Sequence, residues 1–137
     1  MKKVAILGAG SWVTALAMVL AENHHEARLW GNNEAQIQEI NERHTNEHFL
    51  PGVFLDPSIR GYVDLAEAVK DVDAILFVLP TKAIRIVAKQ LNDLLKNKPM
   101  IIHASKGLEQ ETYKRISEIL AEELDRDRYE DIVVLSG

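Results

Sequence analysis

Cysteine is absent from the 137-residue chain. Disulfide bridges, thiolate zinc sites and a cysteine nucleophile are therefore excluded. Basic residues are in the minority: 16 Lys and Arg face 21 Asp and Glu, for a formal net charge of −5. That balance argues against a general nucleic-acid binder, which carries a basic excess or stripe. It also argues against an anionic membrane surface as partner. No apolar run is long enough to span a bilayer. The start, MKKVAILG, superficially resembles a signal peptide, but its apolar run is too short and meets Gly8 at once. A cytoplasmic protein is the expectation, with neither nucleic acid nor membrane as partner.

What is present suits a single packed unit. Hydrophobic residues make up 47% of the chain, enough for a sizeable core. Residues 3–7, 26–30, 73–79, 100–104 and 131–135 read as strands, with a shorter one at 59–63. Residues 11–22, 34–43, 64–70, 81–95 and 111–124 read as helices, the first with Ser11 and the third with Asp64 as N-cap. Residues 44–57 read as irregular, broken by Pro51, Gly52 and Pro57. Continuous apolar strands alternating with helices imply an α/β fold: a doubly wound, mostly parallel, Rossmann-like sheet covered by helices on both faces. One dinucleotide-binding domain over residues 1–137 is expected.

The chemistry-bearing stretch is the first strand-to-helix turn, Gly8-Ala9-Gly10-Ser11-Trp12-Val13. Two glycines let the chain bend sharply and let a pyrophosphate approach without meeting a Cβ. The following helix offers free N–H groups and the positive end of its dipole. Where a third glycine completes such a pattern, this chain has Val13. A branched side chain at the helix–strand contact is expected to overpack by about 1–3 kcal/mol and so to weaken binding. After the second strand come Asn32 and Asn33 rather than the acid that serves NAD or the arginine that serves NADP. Asparagine can bond a ribose hydroxyl but cannot neutralise a phosphate, so the cofactor is NAD or NADP with a slight lean to NAD.

The stretches KKVAILGAGSWVTALAMVLAEN, RLWGNN, INERHTNEHFLPGV, VLPTKAIRIV, ASKGLEQET and IVVLSG cover nearly the whole chain in order. In them the chain resembles the amino-terminal half of bacterial NAD(P)-dependent glycerol-3-phosphate dehydrogenases. The resemblance implies interconversion of glycerol 3-phosphate and dihydroxyacetone phosphate, in supply of phospholipid precursors. It implies cofactor contacts at Gly8, Gly10, Ser11, Trp12, Asn32, Asn33, Phe49 and Lys106, and substrate contacts at Lys106 and Gly137. An ammonium at Lys106, just past a strand, also suits attraction of a phosphorylated substrate.

Two further departures from the family are His24, in place of a glycine after the first helix, and the end of the chain at Gly137. The family's helical substrate domain, with its acid/base lysine, lies beyond that point. No catalytic residue is therefore assigned within this chain, and no dehydrogenation by it alone is expected. An exposed docking face should then favour a homo-oligomer. A stand-alone or degenerate nucleotide-binding module without catalysis stays open as the alternative. The His24–His25 and His44–His48 pairs lack a third ligand, so no metal is expected.

Overall fold

The computed structural model describes residues 1–104 and 107–135. Strands β1 (Lys3–Leu7), β2 (Glu26–Trp30), β5 (Arg60–Tyr62), β6 (Ala74–Phe77), β7 (Met100–His103) and β8 (Ile132–Val134) form one sheet. Its spatial order is β5-β2-β1-β6-β7-β8, with every neighbouring pair parallel. The chain winds outward from β1 through β2 to β5, then crosses back to β6 and winds the other way. The order of strands thus reverses between β1 and β6, and the doubly wound expectation holds.

The two-residue period of a strand divides its side chains between the sheet's faces. Ala5, Leu7, Ile75 and Phe77 face one side, where α3 (Leu65–Ala68), α4 (Thr81–Asn92) and α5 (Ile116–Glu123) cover them. Ile84, Val87, Ala88 and Leu91 of α4 supply the middle of that core. Ile6, Leu29 and Leu76 face the other side, against α1 (Ser11–Glu22) and α2 (Glu34–Arg43). Both sets are buried, as a parallel sheet requires.

Several boundaries differ from the sequence reading. Gly10, not Ser11, occupies the N-cap of α1, and Ser11 is its first helical residue. Asp64 stands at the N-cap of α3 but makes no side-chain cap bond. Residues 44–57 are not wholly irregular: β3 (Thr45–Asn46) and β4 (Leu50–Phe54) pair as a separate antiparallel ribbon. Pro51 and Gly52 obscured that strand in the sequence, but a two-stranded ribbon tolerates a residue without an N–H on its open edge. The Glu39 carboxylate accepts from Thr45 Oγ1 at 2.7 Å and the Glu47 amide at 2.8 Å, tying the ribbon to α2. These bonds lower the Glu39 pKa.

The fifth helix begins at Ile116 rather than 111. Residues before it close a tight turn: Glu109 N donates to the Lys114 carbonyl, Tyr113 N donates to that of Glu109, and Leu108 bridges Arg115. Tyr113 has φ +57° there, which helical residues do not adopt. At the end of α1, His24 takes φ +62°, the left-handed turn expected of a position that suits glycine.

Candidate functional site

Ligands of open parallel sheets bind at the carboxyl ends of the strands, where strand order reverses. A cleft of about 430 Å³ lies there. Gly8, Ala9 and Gly10 line it from the end of β1, and Trp30, Gly31 and Asn32 from the end of β2. Val78, Leu79 and Pro80 close it from the end of β6, while Gln36 of α2 and Phe49 of the ribbon's loop lie across it.

The two glycines of the turn do different things. Gly8 has φ +146°, and a Cβ on it would stand 2.7 Å from the Val78 carbonyl oxygen. Its own amide donates to the Trp30 carbonyl at 2.8 Å, and Val78 N donates to Leu7 O at 3.1 Å. Gly8 therefore sits tightly between the ends of β2 and β6, and its bare Cα serves the fold. A Cβ on Gly10 would meet nothing within 4 Å. That empty space opens on the cleft.

The start of α1 has no side-chain cap, since its N-cap is Gly10; among the described residues no side chain is seen to bond its first amides, and its first turn holds no acid. A helix leaves its first N–H groups without intrahelical partners, with a partial positive charge behind them. The contrast with α2 is direct, since the Asn33 side chain accepts from Gln36 N at 3.1 Å and fills that helix's first acceptor position. Asn33 thus caps its own helix, and of the two asparagines Asn32 lines the cleft.

Of the other residues singled out from sequence, Phe49 borders the cleft, and Ser11 and Trp12 lie exposed in the first turn of α1 beside it. Trp12 is half exposed and does not line the cleft; Trp30 does, with its indole N–H held by the Val63 carbonyl at 2.8 Å. Lys106 and Gly137 lie outside the described residues. Val13 packs beneath the helix start, next to Gly8. It is buried among Ile6, Ala17 and Leu29, and its Cγ1 is 3.6 Å from where a Gly8 Cβ would sit, an ordinary contact. Val13 thus packs in the core at the helix–strand contact, where the overpacking was expected.

Sequence reasoning missed Thr14, Gln36 and Asn46. Thr14 Oγ1 donates to the Gly10 carbonyl at 2.6 Å. The Ala9 carbonyl accepts from Gln36 Nε2 at 2.6 Å and from Asn46 Nδ2 at 3.1 Å. Thr14 and Asn46 are fully buried. A threonine inside the apolar run of α1 was the one available signal.

A second, wider cleft of about 610 Å³ lies beyond the end of β7, between Thr81 and Lys82 of α4 and the turn Leu108–Glu111. Arg85 holds that turn. Its guanidinium meets both Glu109 oxygens at 2.8 Å and also reaches Glu122 at 3.0 Å and Glu123 at 2.6 Å. This fork pulls the Glu109 pKa down to about 2, helped by the Thr112 hydroxyl, and raises that of Arg85. Among the described residues no group of three His, Asp or Glu side chains is placed to hold a metal ion, and no helix is long and apolar enough to cross a membrane.

Comparison with known proteins gives a consistent result. Residues 3–137 match the family described as NAD-dependent glycerol-3-phosphate dehydrogenase N-terminus. An NAD(P)+ glycerol-3-phosphate dehydrogenase of Enterococcus faecalis is 62% identical over 136 residues, covering 99% of this chain and 40% of that protein. One from Streptococcus equi subsp. zooepidemicus is 57% identical over the same coverage. A crystal structure of glycerol-3-phosphate dehydrogenase from Coxiella burnetii superposes with a TM-score of 0.87 at 33% identity, over 99% of this chain and 41% of that one. The chain thus spans about 40% of the length of the curated relatives it matches.

Proposed function

The chain belongs to the NAD-dependent glycerol-3-phosphate dehydrogenase family, as its N-terminal part, and from that premise we propose that its cleft seats the pyrophosphate of NAD or NADP. The uncapped start of α1, opening beside Gly10 where strand order reverses, is the observation that carries this reading. The residues suit the group: Gly10 leaves a Cβ-sized space on the cleft, and the first-turn amides answer a diphosphate's charge.

Gly8 and Gly10 shape the seat, Ser11 and Trp12 flank it, Asn32 faces the adenosine ribose, and the Phe49 ring covers one side. Asn33 acts by capping α2. No lysine or arginine lines the cleft among the described residues, which supports the lean to NAD over NADP. When bound, the dinucleotide supplies or takes up the hydride; this chain's residues bind and orient it.

Residues 1–137 are read as the cofactor domain of an enzyme interconverting sn-glycerol 3-phosphate and dihydroxyacetone phosphate, with a helical substrate domain completing it. Lys106 and Gly137 then contact substrate, and Lys106 the cofactor also. The setting is cytoplasmic, in phospholipid precursor synthesis. Hydride transfer needs substrate held about 3–3.5 Å from the nicotinamide and a proton donor for its carbonyl oxygen. Self-association belongs to the same reading, since Val133, Val134 and Leu135 leave an apolar edge exposed; sedimentation that shows only monomer contradicts it.

Calorimetric titration with NADH tests the site. Saturable binding supports it, and a flat response at millimolar NADH favours the reading in which the domain no longer binds a nucleotide.

A further inference from the structure

Against the glycine turn lies a connected set of polar side chains from three separate elements: the buried Thr14 of α1 and Asn46 of β3, and Gln36 of α2, which also borders the cleft. Asn46 Nδ2 has two protons and two acceptors, the Ala9 carbonyl at 3.1 Å and Thr14 Oγ1 at 3.1 Å. Gln36 Nε2 likewise reaches the Ala9 carbonyl at 2.6 Å and Asn46 Oδ1 at 3.2 Å. The Thr14 hydroxyl donates its hydrogen bond to the Gly10 carbonyl at 2.6 Å. Every amide and hydroxyl proton named is used once. Thr14 and Asn46 have no exposed surface, and buried polar groups are costly unless bonded in this way. An apolar pair would fill the same core; what it could not do is grip two carbonyls of the turn.

We infer that Thr14, Gln36 and Asn46 are positioning residues that aim the turn's amides at the cofactor's diphosphate. In a trans peptide the C=O and the next N–H point in opposite directions. Two donors fix the Ala9 carbonyl, so the Gly10 N–H points away from them. Thr14 holds the Gly10 carbonyl along α1, by its hydroxyl and by its amide at 3.0 Å, so the Ser11 N–H turns away from the helix body. The turn has no side chain of its own with which to set these planes. Donors fixed before a ligand arrives bind it without the cost of ordering them afterwards. This inference rests on the proposed dinucleotide site.

The test uses Thr14→Val, Asn46→Leu and Thr14→Ser in the 137-residue chain. NADH affinity is measured by calorimetry, with ADP-ribose and adenosine as competitors and urea unfolding as the check on folding. Thr14→Val and Asn46→Leu should weaken NADH and ADP-ribose about tenfold or more and leave adenosine within twofold. Thr14→Ser, which keeps the hydroxyl, should stay within threefold of the parent for all three. Should Asn46→Leu not fold, the Val and Ser variants at position 14 decide. Folded variants that bind NADH like the parent overturn this inference alone, and so does an equal loss for adenosine, which would mark a merely structural role. A parent chain that binds no NADH overturns the site itself and this inference with it.

Discussion

Replacing each glycine of the turn by alanine should separate the residue that serves the fold from the one that serves the ligand. At Gly8 the new Cβ would stand 2.7 Å from the Val78 carbonyl oxygen, a backbone atom that cannot swing aside. Relief requires β1 and β6 to part where Val78 N bonds Leu7 O. Overpacking of this kind costs about 1–3 kcal/mol. The φ of +146° adds about 1–3 kcal/mol for any residue with a Cβ. Gly8→Ala should therefore lose about 2–6 kcal/mol, a large part of the ~5–15 kcal/mol that holds a domain folded. At Gly10 the backbone is ordinary, with φ −79°, and the Cβ meets nothing. Gly10→Ala should lose under about 1 kcal/mol, the difference between glycine and alanine at an N-cap. It should nevertheless weaken NADH binding tenfold or more, because its methyl enters the cleft. Urea unfolding and calorimetry on the two variants read both quantities. The reasoning is refuted if Gly8→Ala unfolds within about 0.5 kcal/mol of the parent, or if Gly10→Ala binds NADH unchanged.

The same geometry sets two further outcomes. Val13 is a core side chain rather than an obstruction, so Val13→Gly should destabilise the chain by about 3 kcal/mol, combining lost burial with glycine's cost inside a helix. It should not tighten NADH; a stable variant of higher affinity by calorimetry would restore the overpacking argument. The Glu109 pKa is lowered from 4.5 to about 2, chiefly by Arg85. Its carboxylate therefore contributes to stability fully above pH ~4.5, and that contribution is lost as pH falls toward 2. Carbon-detected NMR of the carboxyl should give a midpoint near 2 in the parent and a clearly higher one in Arg85→Met, short of 4.5 because the Thr112 hydroxyl and Lys114 still lower it; equal midpoints would remove the fork from the account.

The sheet was legible in the sequence because both of its faces are buried. Strands such as AILF at 74–77 are apolar throughout, and no helix period explains them. Helix starts were less legible. Whether residues 111–115 continue α5 is decided by Arg85, distant in sequence, which holds Glu109 and fixes a turn with Tyr113 at positive φ. The ribbon at 45–54 was hidden by Pro51 and Gly52, and Glu39 of α2 anchors it from outside. At the site, Gly8, Gly10 and Asn32 follow directly from strand ends, and all three reach the cleft. Asn33 was harder to read because an asparagine after a strand suits a ligand contact or a helix cap equally, and its Oδ1 caps α2. Thr14, Gln36 and Asn46 could not be read from spacing, since three elements bring them together only in the fold.

Backbone amide NMR during an NADH titration tests the central claim most directly. Bound diphosphate should shift the Gly10 and Ser11 N–H resonances more than any others, and ADP-ribose should reproduce those shifts. Unmoved Gly10 and Ser11 signals at saturating NADH would show that the nucleotide, if it binds, is not seated at the start of α1.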